Sequence, residues 1–177
     1  MQTNKNLLYY LLSIGIFLLL KLGYTFADNN SLFFLLKPTD KLVSFLTGSS
    51  SVYLVSNGYY NDKLNILIDK SCSGFNFWIL CFLVFTYLTI QYLDKPIHKI
   101  LSIPAALFSA YCVTIFVNTS RIYASIIVQH QTKNILLIYQ PLIHEAVGII
   151  TNLSFLILAF YLLEKILTNI LHHEKLA

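Results

Sequence analysis

Four long apolar stretches constrain this chain more than any other feature of its sequence. A helix needs about 20 mostly apolar residues to cross the hydrocarbon core of a bilayer. Stretches of that kind occupy residues 7–26, 73–92, 100–117 and 146–163. Charged residues make up only 11% of the chain, whereas soluble globular domains have about 25%. The sequence therefore predicts an all-α integral membrane helix bundle with about four spanning helices, in one membrane-embedded domain over residues 1–177.

The first stretch has two interpretations. It could be a cleaved signal peptide, with Lys5 as a short positive region and residues 25–27 as a weak cleavage site. Because three further stretches follow, an uncleaved signal anchor is the simpler prediction.

The polar segment 27–71 separates the first two stretches and has a pattern of its own. Apolar patches at 33–36 and 42–46, flanked by lysines, predict an interfacial helix lying on the membrane. Further along, Asn57-Gly58 separates two runs of β-forming residues, which is a strong hairpin signal. We therefore expect a small β-hairpin that leads directly into the second span, with an unstructured loop as the alternative.

The lysines indicate how the spans are oriented. The short loop 93–99 and both tails carry lysines, which favours a cytoplasmic position for them, and a long loop such as 27–71 weighs less in this rule. Segments 27–71 and 118–144 are then extracytoplasmic, in a multi-pass protein of the cytoplasmic (inner) membrane. The net charge of only +4, without a basic cluster interleaved with aromatics, argues against nucleic-acid binding.

This threading brings three polar residues to one membrane depth. The second span begins at the outer face, the third ends there and the fourth begins there. Cys72, Arg121 and His144 stand at those three boundaries. Because the shared face depends on the number of spans, a reversed orientation would move all three together.

The three residue types suit acyl transfer to a thiol. Cys72 is predicted at the N-terminus of a helix, where the macrodipole and free amides favour the thiolate. His144 can take the thiol proton and later protonate the leaving amine. Arg121, the only arginine, can donate hydrogen bonds to the oxyanion. Ser73 and Gly74 would let a substrate backbone approach closely.

The remaining cysteines and histidines have simpler interpretations. Cys81 and Cys112 lie inside apolar stretches and are predicted to be small core residues. Cys72 and Cys81 are separated by roughly 13 Å along one helix, whereas a disulfide needs α-carbons within about 7 Å. The adjacent histidines of the C-terminal tail lack a third ligand, so the sequence indicates no metal and no cofactor.

Three short motifs at these positions resemble those of the exosortase/archaeosortase family, whose members carry a C-S-G motif, an Asn-x-x-Arg motif and a later His. In this chain the motifs read Cys72-Ser73-Gly74, Asn118-Thr119-Ser120-Arg121 and His144-Glu145-Ala146-Val147-Gly148. Many members of the family have more spans, and the short chain is similar to the compact form called exosortase K. Ser71 departs from the family pattern, since an alanine is common before the cysteine.

The resemblance implies a membrane cysteine transpeptidase or protease. It would cleave the C-terminal sorting tags of exported proteins through a thioacyl intermediate and could transfer them to a cell-envelope acceptor. Such a tag has a short motif, a transmembrane helix and a basic cluster. The implied catalytic residues are Cys72, Arg121 and His144, with Ser73, Gly74, Asn118 and Glu145 as supporting or substrate-binding residues.

Two other functions remain open from the sequence. A purely hydrolytic membrane cysteine protease would use the same residues and release a free carboxylate. A non-catalytic multi-span protein, such as a transporter subunit or chaperone, would keep its function after Cys72→Ala. A transporter more often has ionisable residues in mid-span, and three of the four stretches carry none.

Overall fold

The computed structural model describes residues 3–131 and 140–176, without the side chains at 3–5, 130, 140, 141, 144 and 170–176. These residues form five α-helices, a three-stranded sheet and one 3₁₀ turn. In chain order they are α1 (Thr3–Phe26), α2 (Phe33–Thr47), β1 (Val52–Leu54), β2 (Gly58–Asn61), β3 (Ile66–Ile68), the 3₁₀ turn (Lys70–Cys72), α3 (Phe75–Tyr92), α4 (Pro96–Gln131) and α5 (Gln140–Leu176).

Four helical segments are long and apolar enough to cross a membrane: Asn6–Phe26, Lys70–Tyr92, Pro96–Gln129 and Glu145–Asn169. The predicted helical architecture with four such segments is confirmed. Large apolar side chains on the outer helices are exposed, as Leu8 on α1 and Ile150 on α5 illustrate. Extensive apolar exposure of this kind marks interaction or membrane surfaces, so the helices are compatible with a membrane protein.

Two helices are longer than the sequence predicted. The third apolar stretch does not end the helix near residue 117, because α4 continues to Gln131. Likewise, α5 begins at Gln140 rather than at residue 146. The predicted linking segment 118–144 is therefore helical over all of its described residues. Helical hydrogen bonds satisfy the backbone of an apolar segment that a loop would leave unpaired.

The chain divides into two compact units. The first contains Met1–Phe26, Asn76–Thr114 and Leu156–Ala177, and the second contains Ala27–Phe75 and Ile115–Phe155. Helices α4 and α5 are each divided between the two units. The single membrane-embedded domain of residues 1–177 stays a prediction.

Apolar burial and a few hydrogen bonds between helices hold the first unit together. Cys81 on α3 is completely buried. The Trp78 indole donates to the carbonyl of Leu107 at 3.0 Å and so joins α3 to α4. The buried Lys99 of α4 donates from Nζ to Oδ1 of Asn6 on α1 at 2.6 Å.

In the second unit α2 packs on a small antiparallel sheet whose central strand is β2. The helix ends at Gly48, which adopts φ +63° and donates its N–H to the Ser44 carbonyl. Its buried side chains are Leu35, Leu36, Thr39, Asp40 and Val43. The helix predicted from the two apolar patches is therefore present, as one continuous element, and its position on a membrane stays a prediction.

The hairpin predicted at Asn57-Gly58 is confirmed and a third strand extends it. Residues 55–57 connect β1 to β2, with Leu54 paired to Gly58. Gly58 adopts φ +103°, and a Cβ there would collide with the Ile68 carbonyl oxygen, so this position needs glycine. A second turn, with Asn65 at φ +50°, places β3 on the other side of β2.

Candidate functional site

Hydrogen bonds to one carboxylate shape the short turn that carries Cys72. Oδ1 of Asp69 accepts from the N–H of Ser71 at 2.9 Å and from the N–H of Cys72 at 3.3 Å. The same oxygen accepts from the Ser71 hydroxyl at 2.6 Å. Asp69 therefore caps the 3₁₀ turn and fixes the backbone on which Cys72 stands.

Two more residues attach this turn to the rest of the second unit. The N–H of Lys70 donates to Oδ1 of Asn29 at 2.7 Å, and Nζ of Lys70 donates to the Ala27 carbonyl at 2.7 Å. Asn29 in turn donates from Nδ2 to the Ser56 carbonyl at 3.0 Å, in the connection between β1 and β2. The backbone at Cys72 is thus held by the sheet as well as by its own turn.

Cys72 does not begin the following helix, and the sequence prediction on this point is wrong. Cys72 is the last residue of the 3₁₀ turn, and α3 starts at Phe75. Gly74 lies between them with φ +72°, a conformation that glycine adopts without strain. Ser73 is buried, and its Oγ accepts from the N–H of Phe75 at 3.3 Å, which caps α3. The Phe75 amide at the start of α3 therefore donates to Ser73 rather than to the thiol.

A hydroxyl is the polar neighbour of the half-buried Cys72 thiol. Oγ of Ser71 lies 3.7 Å from Sγ of Cys72. The Ser71 hydroxyl is directed toward both this sulfur and Oδ1 of Asp69, and its contact with the carboxylate, at 2.6 Å, is the shorter one. The serine that departs from the family pattern therefore gives this thiol a polar neighbour that the Asp69 carboxylate holds in place.

Asn118 joins the second motif to the first. Its Nδ2 donates to the carbonyl oxygen of Cys72 at 2.5 Å, across 46 residues of sequence. Asn118 is 2% exposed and lies inside α4, not at the end of a span as the sequence predicted. The structure thus brings Cys72 and Asn118 into direct contact.

Arg121 lies close to both Asn118 and helix α5. It follows Asn118 by three residues, a spacing that puts both on one face of α4. A Cβ built on Gly148 would lie 3.5 Å from Cδ of Arg121, so α5 passes the arginine at its glycine. His144 lies in α5 about one turn before Gly148, and its side chain lies outside the described part of the structure. Glu145, next in sequence, is exposed.

The sequence did not predict a further polar feature of α4. Buried polar atoms of four α4 residues have no hydrogen-bond partner among the described residues: Oδ1 of Asn118, Oγ1 of Thr119, Nε of Arg121 and Oγ of Ser125. Thr119 and Ser125 were not predicted as site residues. The spacing of Asn118, Arg121 and Ser125, at i, i+3 and i+7, is the signal that could have identified Ser125.

The other two cysteines differ from each other. All three cysteines are free thiols, which agrees with the prediction that Cys72 and Cys81 do not pair with each other. Cys81 is buried in the first unit, in agreement with the predicted core position. Cys112 is exposed on α4, so its predicted core position is wrong. An apolar stretch does not tell which side of a helix faces its neighbours.

Comparisons of the chain with protein-family models, with curated proteins and with solved structures find no match. Functional assignment therefore depends on the residues of the chain and on their contacts.

Proposed function

We propose that this chain is a membrane cysteine transpeptidase or protease of the exosortase type. The observation that carries the proposal is the hydrogen bond from Asn118 to the Cys72 carbonyl. It links two of the three motifs through a specific polar contact, which a chance occurrence of short motifs would not require. The contact between Arg121 and Gly148 adds support, because Gly148 ends the third motif.

In the proposed reaction the Cys72 thiol gives its proton to His144, and the resulting thiolate attacks the carbonyl carbon of a peptide bond. A C–S bond forms, and the carbonyl π electrons move to an oxyanion that Arg121 stabilises. The C–N bond then breaks as the protonated His144 gives its proton to the leaving amine. Water or an acceptor amine then attacks the thioester, its proton passes to His144, the C–S bond breaks and the Cys72 thiolate leaves.

Asn118 has a positioning role in this scheme. Its amide holds the backbone of Cys72 while its own place in α4 fixes Arg121 one turn away. The nucleophile and the oxyanion donor are therefore set by one helix. A misplacement of such groups by about 1 Å lowers the reaction rate about 100-fold.

The membrane setting and the partners belong to the same proposal. The substrates are exported proteins with a C-terminal tag, and the site faces the extracytoplasmic side of the cytoplasmic membrane. The four apolar helices support this setting. Helix α3 contains no charged residue, which agrees with an enzyme whose catalytic residues lie at the edge of the membrane.

A trapped adduct tests the nucleophile. Co-expression with a tagged partner should give a covalent thioester at Cys72 that mass spectrometry identifies, and Cys72→Ala should abolish processing while the protein still inserts. Cys112→Ala is the matched control, since that thiol is exposed but not joined to the motifs. Normal processing by Cys72→Ala would overturn the proposal.

The products separate transfer from hydrolysis. The processed partner carries a free C-terminal carboxylate after hydrolysis, and an amide-linked acceptor after transfer. Intact-mass measurement of the processed partner distinguishes the two outcomes.

A further inference from the structure

The serine and threonine hydroxyls of α4 that are buried or half-buried fall into two groups. Those of Ser102, Thr114 and Ser120 donate to backbone carbonyls of their own helix, at 2.8, 2.7 and 2.9 Å. This is the usual arrangement of a helical hydroxyl. Thr119 and Ser125 depart from it, and their buried oxygens have no partner among the described residues. A buried hydroxyl without a partner is costly, so the arrangement calls for a ligand.

Of the two hydroxyls, that of Ser125 adjoins the site already described. Asn118, Arg121 and Ser125 form a line along α4 that is about 10 Å long at the rise of an α-helix. Thr119 follows Asn118 directly, lies about 100° further around the helix and is not part of this line. We call Asn118, Arg121 and Ser125 the α4 polar face. Each has a buried atom that can donate or accept a hydrogen bond.

The direction of the Asn118 amide restricts the ligand. Its Nδ2 is engaged with the Cys72 carbonyl, so Oδ1 is the atom left for a partner. Oδ1 of Asn118 is a hydrogen-bond acceptor and would repel an anion such as a phosphate. Nε of Arg121 is a donor and needs an acceptor atom in the ligand. The ligand must therefore offer both N–H and C=O groups within a short distance, as a peptide main chain does.

We propose that the α4 polar face binds the main chain of the peptide that is cleaved, in an extended conformation, with Ser125 as a positioning residue. The inference rests on the proposed function. An extended chain advances about 3.3 Å per residue, so the line from Asn118 to Ser125 spans about three residues. Because these side chains contact main-chain groups, the binding does not depend on the peptide's side chains.

Two reagents with the same reactive group test this proposal. Acetyl-Ala-Ala chloromethyl ketone and chloroacetone both alkylate a thiolate, forming a C–S bond and releasing chloride. The ratio of their rates at Cys72, measured by mass spectrometry, reports peptide binding separately from thiol reactivity. N-acetylcysteine in solution gives the ratio without a peptide site. We expect the ratio to be higher at Cys72 than for N-acetylcysteine.

Ser125→Ala should lower the Cys72 ratio about fivefold, the effect of one net hydrogen bond, and leave the chloroacetone rate unchanged. Ser120→Ala is the matched control, because that hydroxyl is bonded within its own helix, and it should have no effect. An unchanged ratio in Ser125→Ala would overturn the proposal, as would an equal ratio at Cys72 and for N-acetylcysteine. A parallel fall in the chloroacetone rate would also overturn it, since the hydroxyl would then support the thiol. Failure of the proposed function would show separately, as normal processing of a tagged partner by Cys72→Ala.

Discussion

The two units of the chain differ in how their buried polar groups are paired. In the first unit, Lys99 donates to Asn6, and Asn6 donates to the Ile90 carbonyl at 3.5 Å. In the second unit, buried atoms without partners among the described residues occur at Thr39, Asp40, Asn118, Thr119, Arg121 and Ser125, and no such atom is found in the described residues of the first unit.

Four of these unpaired groups lie on α4 at the candidate site, whereas Thr39 and Asp40 lie on α2 outside it. An unpaired buried polar group costs about 1–3 kcal/mol, and a whole domain is stable by only about 5–15 kcal/mol. Six such groups in one unit are therefore a substantial burden on its stability. Sites that bind a ligand tolerate such burdens because the ligand supplies the missing partners.

Two asparagines, one in each unit, provide the most direct test of this difference. Asn118 and Asn6 both donate from Nδ2 to a backbone carbonyl, one in each unit. Asn118→Asp keeps the shape, removes the donor and places a carboxylate against the Cys72 carbonyl. We expect processing of a tagged partner to fall by about 100-fold, the cost of a misplaced catalytic group.

Asn6→Asp is the control for that variant. Its new carboxylate would face the Nζ of Lys99, which already donates to the same side chain, so processing per folded protein should stay within about twofold, since an ion pair there replaces the lost bond. Equal losses in the two variants would show that both asparagines serve the fold alone, and the distinction between the units would fail.

Asp40 tests whether an unpaired group of the second unit carries a stability cost. This carboxyl on α2 is 7% exposed, and burial raises its pKa above the ordinary value of 3.8, against a hydrogen bond from Ser51 that lowers it. The folded state therefore binds more protons than the unfolded state as the pH rises above 3.8, and stability is lost over that window. Asp40→Asn should remove this loss and stabilise the protein by about 1 kcal/mol at neutral pH.

The measurement is the apparent Tm of both proteins in detergent from acidic to neutral pH. The two curves should coincide below pH 3.8, where Asp40 is protonated in both states, and separate above it. A constant offset between parent and Asp40→Asn would contradict the assigned titration.

Local signals allowed part of this structure to be predicted from sequence. Length and apolar composition were sufficient for the four long helices, because bilayer thickness sets a simple requirement. Asn57-Gly58 identified the first hairpin through its backbone preference. The third strand was missed, since its pairing with β2 depends on a second turn in which Asn65 has a positive φ.

The errors at the site concern helix ends, whose positions depend on tertiary contacts and capping. Asn118 and its polar neighbours were interpreted as the end of a span, but α4 continues to Gln131, and the Asn118 amide donates to the Cys72 carbonyl. Cys72 was placed at a helix start, whereas Ser73 and Gly74 intervene through a cap and a left-handed residue. Neither contact has a signature in the local sequence. The membership of Cys72, Arg121 and His144 in one catalytic site stays a prediction.

A pair of glycines provides the finest comparison and the smallest expected effect. Gly148 on α5 lies where an added Cβ would be 3.5 Å from Cδ of Arg121, an ordinary contact, whereas a Cβ on Gly15 of α1 would meet nothing within 4 Å. Replacing a helical glycine with alanine stabilises by about 0.5–1 kcal/mol. Gly148→Ala and Gly15→Ala should therefore raise the apparent Tm similarly, and processing should change less than about twofold, since an alanine at 3.5 Å need not displace the arginine. A loss of processing in Gly148→Ala alone, with the same Tm as Gly15→Ala, would mean that Arg121 moves toward α5 during the reaction. A lower Tm in Gly148→Ala would contradict the 3.5 Å separation, because the added methyl group would then be closer to its neighbours than an ordinary contact.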